Sequence, residues 1–355
     1  MKEELMNRTI CIYHANCADG FTAAWAVREA LGNKVEYVPA SYGDAPPEVT
    51  GADVIIVDFS YKRPMLERMA QTARSVLVLD HHKTAQADLA GIPAPEGQWD
   101  MHRSTAGNPV ALFDMDRSGA QMAWDYFHQG ARPFLVDVVA DRDLWRWQLD
   151  QSREINAVIG SHEMTWDTWG DLAARLQADA DIGRVAAEGK AILRAHDKLV
   201  RQVIDASKRR MVIGGYDVPV AAAPYALASD TAGAMAEGEP FAATYVDRPK
   251  GRAFSLRSRS NGIDVSEIAK AYGGGGHRSA AGFLMPLGWE GDTQPAQVKD
   301  AARVLLEADD YMPTVAKIAA VKAHTLREGK VRPVTVVEGW RAALRALAEQ
   351  EQRDE

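Results

Sequence analysis

The chain has 355 residues, of which 46% are hydrophobic and 25% charged, and a formal net charge of −8. That length accommodates two domains with cores of their own, and the acidic balance excludes a broad nucleic-acid-coating surface, which relies on many Lys and Arg contacts to phosphates. No apolar run reaches the roughly 20 residues of a membrane helix; with no apolar leader after Met1 and only Cys11 and Cys17 as cysteines, the expectation is a cytoplasmic protein with no membrane partner and no disulfide framework.

The N-terminal half alternates between strands and helices. Thr9–Tyr13 is an apolar strand that runs into His14, with Cys17, Asp19 and Gly20 close behind. A helix follows from about Phe21 to Leu31, and Val35–Val38 forms a short strand closed by Pro39. Val54–Val57 runs into Asp58, and a helix at about 64–73 has Pro64 in its first turn. Val76–Leu79 then runs into Asp80-His81-His82. Continuous Val, Ile and Leu runs read as strands buried on both faces, and the β-α-β-α-β rhythm predicts a parallel sheet wrapped by helices. Ligands bind at the carboxyl ends of such strands, so the polar residues that end these three runs converge on one sheet edge.

Residues 91–109, broken by prolines and glycines, read as an irregular loop. Ser118 caps a helix that reaches about His128. A further apolar segment, Phe134–Ala140, ends in Asp141-Arg142-Asp143 and offers both acids to the same edge, while the tryptophans around Trp145–Trp169 read as packing. Residues 182–210, rich in Ala, Lys, Arg and Glu, predict a long helix linking a first domain (1–181) to a second (211–290), followed by a helical extension over 291–355.

Gly214-Gly215 ends that helical region or opens a hairpin after Met211–Ile213, with short strands at 217–222, 241–246 and 252–258. Helices are expected at 230–237 and 264–272, the second with Asp264 and Glu267 spaced as a capping box. Alternation along Ser255–Ser260 puts Arg257 and Arg259 on one strand face, and arginine suits bidentate phosphate recognition. Immediately beyond lies Gly273–Gly276 followed by His277. The amides of Gly274, Gly275 and Gly276 can form a concave nest for a phosphate, with His277 donating to one of its oxygens.

Imidazoles and carboxylates without a thiolate cluster suit Mn²⁺, Mg²⁺ or Zn²⁺, and the number of carboxylates favours the harder ions. The donors exceed one tetrahedral site and fit two ions about 3.5–4 Å apart that share a water nucleophile. Asp58, alone at the end of a central strand, is then the bridging carboxylate.

Asp80-His81-His82, with His14-x-x-Cys17-x-Asp19-Gly20, Asp58 and Asp141, resembles the DHH phosphoesterase superfamily. Gly273–Gly282 resembles the glycine-histidine motif of its associated C-terminal substrate-binding domain. The resemblance implies an α/β fold in which a parallel-sheet DHH domain is joined by a helical linker to a smaller α/β substrate-binding domain. It implies His14, Asp19, Asp58, His81 and Asp141 as ligands of two ions, Mn²⁺ by preference with Mg²⁺ or another divalent ion as the alternative. Asp80 would orient His81, and His82 would face the scissile phosphate. Cys17 departs from the pattern, standing where the family usually has Asp and at a shortened spacing from His14; the expectation is direct or near-direct metal contact by a ligand softer than carboxylate.

The implied activity is a Mn²⁺-dependent phosphodiesterase acting on short single-stranded oligonucleotides or small nucleotides, like an exonuclease or nanoRNase, with release of a 5′-mononucleotide. An inorganic pyrophosphatase of the same superfamily is the enzyme alternative, disfavoured by the His277 motif. A nucleotide-binding sensor whose site has decayed at Cys17 is the non-catalytic one. RNA or DNA preference, cleavage direction and assembly into an oligomer stay open.

Overall fold

The computed structural model describes residues 8–100, 109–259 and 262–292. These fall into two compact units, one built from the chain up to Arg209 together with Pro219–Leu287, the other from Arg210–Val218 and the segment beginning at Gly288. The helical extension expected from 291 lies almost wholly outside the described residues.

Five strands, β1 (Thr9–His14), β2 (Val35–Ala40), β3 (Asp53–Val57), β4 (Ser75–Asp80) and β5 (Val110–Phe113), form a sheet ordered β2-β1-β3-β4-β5 in the first unit. Its neighbouring strands pair in parallel. β3 and β4 are buried along their whole length and β1 at its centre, as their unbroken apolar runs predict. Cys11, Ile55, Val57, Leu77 and Leu79 face one core, and Ile10, Ile12, Val54, Ile56, Val76 and Val78 face the other. Each such side chain contributes about 1.5–3 kcal/mol on burial.

The strand order reverses direction between β1 and β3, the switch point at which open α/β sheets bind ligands. Register does the rest: Val57 lies opposite Tyr13 on one side and Leu79 on the other, so His14, Asp58 and Asp80 end three adjacent strands side by side.

The helices of this unit include α1 (Ala18–Leu31), α2 (Arg63–Thr72), α3 (Lys83–Asp88), α4 (Gly119–Phe127), α5 (Phe134–Asp143), α6 (Ser152–Ser161) and α7 (Trp166–Arg175). α1 starts three residues earlier than its apolar pattern, with Cys17 in the N-cap position, which puts Asp19 in its first turn. Ser118 caps α4 through a full capping box with Gln121. The apolar segment ending at Asp141-Arg142-Asp143 is the helix α5. β5, an edge strand of four residues, has no signal in the pattern; of the loop expected over 91–109, residues 101–108 lie outside the described residues. The tryptophans do pack: Trp169 is fully buried with its Nε1–H on Thr22 Oγ1 at 2.8 Å, and Trp166 stacks on Phe21.

The long helix α8 (Asp179–Ser207) leads to the hairpin strand β6 (Arg209–Ile213) and then to β7 (Tyr216–Ala222). After β7 come α9 (Tyr225–Met235), β8 (Ala242–Arg248), β9 (Gly251–Arg257), α10 (Val265–Ala271), β10 (Gly275–Gly276) and β11 (Ala280–Met285). α9 starts five residues before the expected 230, directly after Pro224, whose missing N–H costs nothing at a helix start. β7 pairs parallel with β8, and β8, β9, β11 and β10 continue antiparallel. In the second unit Asp292 clasps the hairpin, its N–H donating to Val212 O and its carboxylate accepting from Gly215 N–H. Among the described residues no helix is long and apolar enough to cross a membrane.

Candidate metal centre

Asp58 is the hub. Its backbone takes a left-handed φ of 53°, a conformation that costs a non-glycine residue energy and concentrates at functional positions. Its Oδ1 lies 3.0 Å from His81 Nε2 and its Oδ2 3.5 Å from His14 Nδ1. Around the same His81 nitrogen stand Asp143 Oδ2 at 3.5 Å and Asp19 Oδ2 at 3.7 Å. Asp19 is held by the start of α4, accepting from Gly119 N–H at 2.6 Å and Ala120 N–H at 3.1 Å. Gly119 is required there, because a Cβ would sit 2.4 Å from the Cβ of Asp58.

The electrostatics are those of a buried acidic cluster. Burial opposes charge on Asp58, but His14 and His81 outweigh it and hold the carboxyl well below the usual range. Burial, then the charges of Asp58 and Asp143, push Asp19 well above that range, and burial leads the upward shift of Asp143. Burial also disfavours a charged His81, yet Asp58, Asp143 and Asp19 push its pKa up to about 10.

His14 Nδ1, Asp58 Oδ2, His81 Nδ1, Asp80 Oδ2 and Asp143 Oδ2 are buried without hydrogen-bond partners. Each such atom costs about 1–3 kcal/mol, so their concentration in one place fits a divalent cation. Ligand atoms lie within 4.8 Å of one another in three groups: Asp19, Asp58 and His81; His14, Asp58 and His82; and His81, His82 and His277. Asp58 is common to the first two, the position expected of a bridging carboxylate.

Two expectations need correction, and Cys17 stands apart from the ligand groups. Asp141 does not reach the cluster; its carboxylate accepts from the N–H groups of Gln148 and Leu149 and shapes the loop after α5. Residues two apart on a helix point about 200° apart, so only one of the pair can face His81, and it is Asp143. Asp80 orients His82 instead of His81: its Oδ1 accepts from His82 Nδ1 at 2.7 Å and from the backbone N–H groups of His81 and His82. Cys17 belongs to none of the three ligand groups. Burial, followed by Asp58, Asp143 and Asp19, raises its thiol well above the ordinary value, so it stays protonated beside these acids.

From the second sheet, His277 reaches the centre directly, its ring 4.3 Å from that of His82 and 4.5 Å from that of His81. Burial and the two neighbouring imidazoles keep it neutral, well below its ordinary pKa. The glycines deliver it by close packing. A Cβ on Gly274 would lie 2.0 Å from Gly282 O, and one on Gly275 would lie 2.8 Å from Thr84 Oγ1 on α3, the helix that follows the Asp80 motif. The expected phosphate nest is reduced, because Gly274 N–H donates to Ala269 O and His277 N–H to Ala280 O; Gly275 and Gly276 form β10.

Arg257 ends β9 with its Nη2 on Ser229 Oγ at 2.6 Å and a buried Nε without a partner. Burial lowers its pKa against the pull of Asp143 and Asp230. Arg259 lies beyond the strand end, paired with exposed Glu237 at 3.2 Å, and is not brought to the cluster. Asp264 caps α10 through Ser266 N–H, but no capping box forms with Glu267, which joins Asp264 in binding Lys83 on α3. The Gly119 and Ala120 amides and Thr84 were not foreseen; Gly119 directly after a capping serine was their one sequence signal.

A parallel β2-β1-β3-β4-β5 sheet with an Asp-His-His strand end, set against a glycine-histidine segment, has the fold of a DHH domain. The chain carries the fold of the DHH superfamily: it matches the DHH domain of a protein assigned to a family of ribosomal proteins with a TM-score of 0.53 and 16% identity, over 86% of this chain and 88% of that one. A pGpG-specific phosphodiesterase from Vibrio cholerae matches with a TM-score of 0.41 and 14% identity, over 84% and 97% of the two chains. An uncharacterized protein of Acanthamoeba polyphaga mimivirus is 27% identical over 305 residues, 77% of this chain and 66% of that protein, so the chain spans just under two thirds of this relative's length. No family model matches the chain.

Proposed function

We propose that the protein is a divalent-metal-dependent phosphodiesterase that hydrolyses short oligonucleotides or small nucleotides and releases a 5′-mononucleotide. The observation that carries this reading is the group of unpartnered buried donor atoms around Asp58, directly beneath the neutral His277. His14, Asp19, Asp58 and His81 would hold the metal, with Asp143 completing the acids around His81. Carboxylates mixed with imidazoles favour Mn²⁺, with Mg²⁺ as the harder alternative. When bound, such ions acidify water and neutralise phosphoryl oxygens.

The protein's own groups divide the remaining work. Asp80 accepts from His82 Nδ1 and thereby fixes that ring's tautomer and orientation. A neutral His277 keeps one N–H to donate to a phosphoryl oxygen. Arg257, with an unpaired Nε–H, supplies a positive charge near Asp143 for a phosphate that arrives already charged. The net charge of −8 supports short substrates over long polymers, and the lack of a disulfide framework supports a cytoplasmic setting.

Product analysis with Mn²⁺ on dinucleotides, longer RNA and DNA, cyclic dinucleotides, bis-phosphorylated adenosine and pyrophosphate tests the proposal. Mononucleotide release from the short phosphodiesters is expected. Binding without turnover on every substrate, or a preference for pyrophosphate, overturns it.

A further inference from the structure

Tyr42 stands beside the metal cluster with 53% of its surface open to solvent. Its place is nevertheless fixed. It is the second residue of a turn closed twice, by Asp44 N–H on Ser41 O at 3.0 Å and by Ser41 N–H on Asp44 Oδ2 at 2.8 Å. The turn leaves the end of β2, where Ala40 O accepts from Ala15 N–H at 2.9 Å and so joins it to the loop after His14.

The Tyr42 ring centroid is 4.9 Å from that of buried Phe59, 5.6 Å from His14 and 5.9 Å from His82. Phe59 directly follows the hub residue Asp58. The ring is therefore backed by a rigid core aromatic and edged by two candidate ligands. The neighbouring Gly43 has a φ of +95°, the left-handed region that favours glycine in this turn.

We propose that Tyr42 is a stacking platform for a nucleobase next to the scissile phosphate, and so a specificity-determining residue; this rests on the nucleotide-substrate reading above. A phosphodiester seated at the Asp58 cluster carries its bases one sugar away on either side. Every base offers a π-face, and aromatic side chains grip it without sequence preference. The doubly closed turn fixes the ring before binding, which spares the ordering cost that a mobile side chain would incur. Packing alone does not account for the position, since the hydrophobic gain scales with area removed from water and half of this residue stays wet.

Calorimetric binding in Mn²⁺ tests it, using a dinucleotide with a non-hydrolysable methylphosphonate link and its analogue with both bases replaced by hydrogen. The wild type should prefer the base-bearing ligand by roughly 5- to 150-fold for one stacked base. Tyr42→Phe should keep that ratio. Tyr42→Ala, and Tyr42→Leu, which retains bulk against Phe59 without a π-face, should bring it close to one. A wild type that does not discriminate, or a leucine variant that still does, overturns the proposal. If the wild type hydrolyses no phosphodiester yet shows the Tyr42-dependent ratio, the proposed activity fails while the platform stands.

Discussion

Under the proposed activity, loading the centre with Mn²⁺ expels a proton from His81. Its pKa in the metal-free fold is about 10 against an ordinary 6.5, so near pH 7 the ring is almost fully protonated. A ligating imidazole must be neutral, and each pH unit below the folded pKa therefore weakens apparent affinity about tenfold for that single proton. Between about pH 6.5 and 8.5 the apparent Mn²⁺ affinity should rise about 100-fold by the same linkage. Calorimetric titration at one pH in two buffers of different ionisation heat reads the protons directly, and at least one per protein is expected. The same proton leaves a mark on stability. Because the folded pKa lies above the unfolded one, its stabilisation of the metal-free fold is complete below about 6.5 and lost as pH rises through about 10. The metal-free Tm should carry this loss and the Mn²⁺-saturated Tm should not. Buffer-independent heats together with a flat affinity from about pH 6.5 to 8.5 would refute the reasoning.

Asp143→Asn should weaken Mn²⁺ binding about tenfold or more, whereas Asp141→Asn should leave it unchanged and cost about 1–3 kcal/mol in denaturant unfolding through the Gln148 and Leu149 amides; exchanged outcomes would make Asp141 the ligand. Cys17→Ala should give a Mn²⁺ titration that overlays the wild type, because the thiol stays protonated among three acids; a tenfold loss would mean thiolate ligation. Arg257→Ala should raise KM for a dinucleotide roughly 10- to 100-fold, the worth of a hydrogen bond to a charged group, with Mn²⁺ affinity held; a fall in metal affinity would contradict its place on the substrate side.

The half of the site built on strands was legible because its signal is one-dimensional. A doubly buried strand needs an unbroken apolar run, and the residue at which the run stops is the residue at the sheet edge, so His14, Asp58 and Asp80 could be read directly. The half built on helices was not. Asp141 and Asp143 are indistinguishable in composition, and only the rotational setting of α5 decides which one meets His81. Asp80 could orient either neighbouring imidazole, and the choice of His82 depends on how the chain turns out of β4. Glycines invite a phosphate-binding reading, but close packing against Gly282 and Thr84 calls for the same residue type. β5 is too short for period or length to betray it, and the β-strand alternation that linked Arg257 with Arg259 breaks down where β9 ends.

The ring of His277 lies 4.3 Å from that of His82 with 29° between their planes. Under the proposed activity, if these rings part to admit substrate, the maximal turnover rate is capped by that motion. What ties the His82 and His277 segments together nearby is modest: Lys83, its side chain 45% exposed, grips Asp264 and Glu267, and ion pairs in water are worth about 0–1 kcal/mol. Salt weakens such pairs, so ionic strength should act on the closeness of the two segments through Lys83, the residue directly after His82.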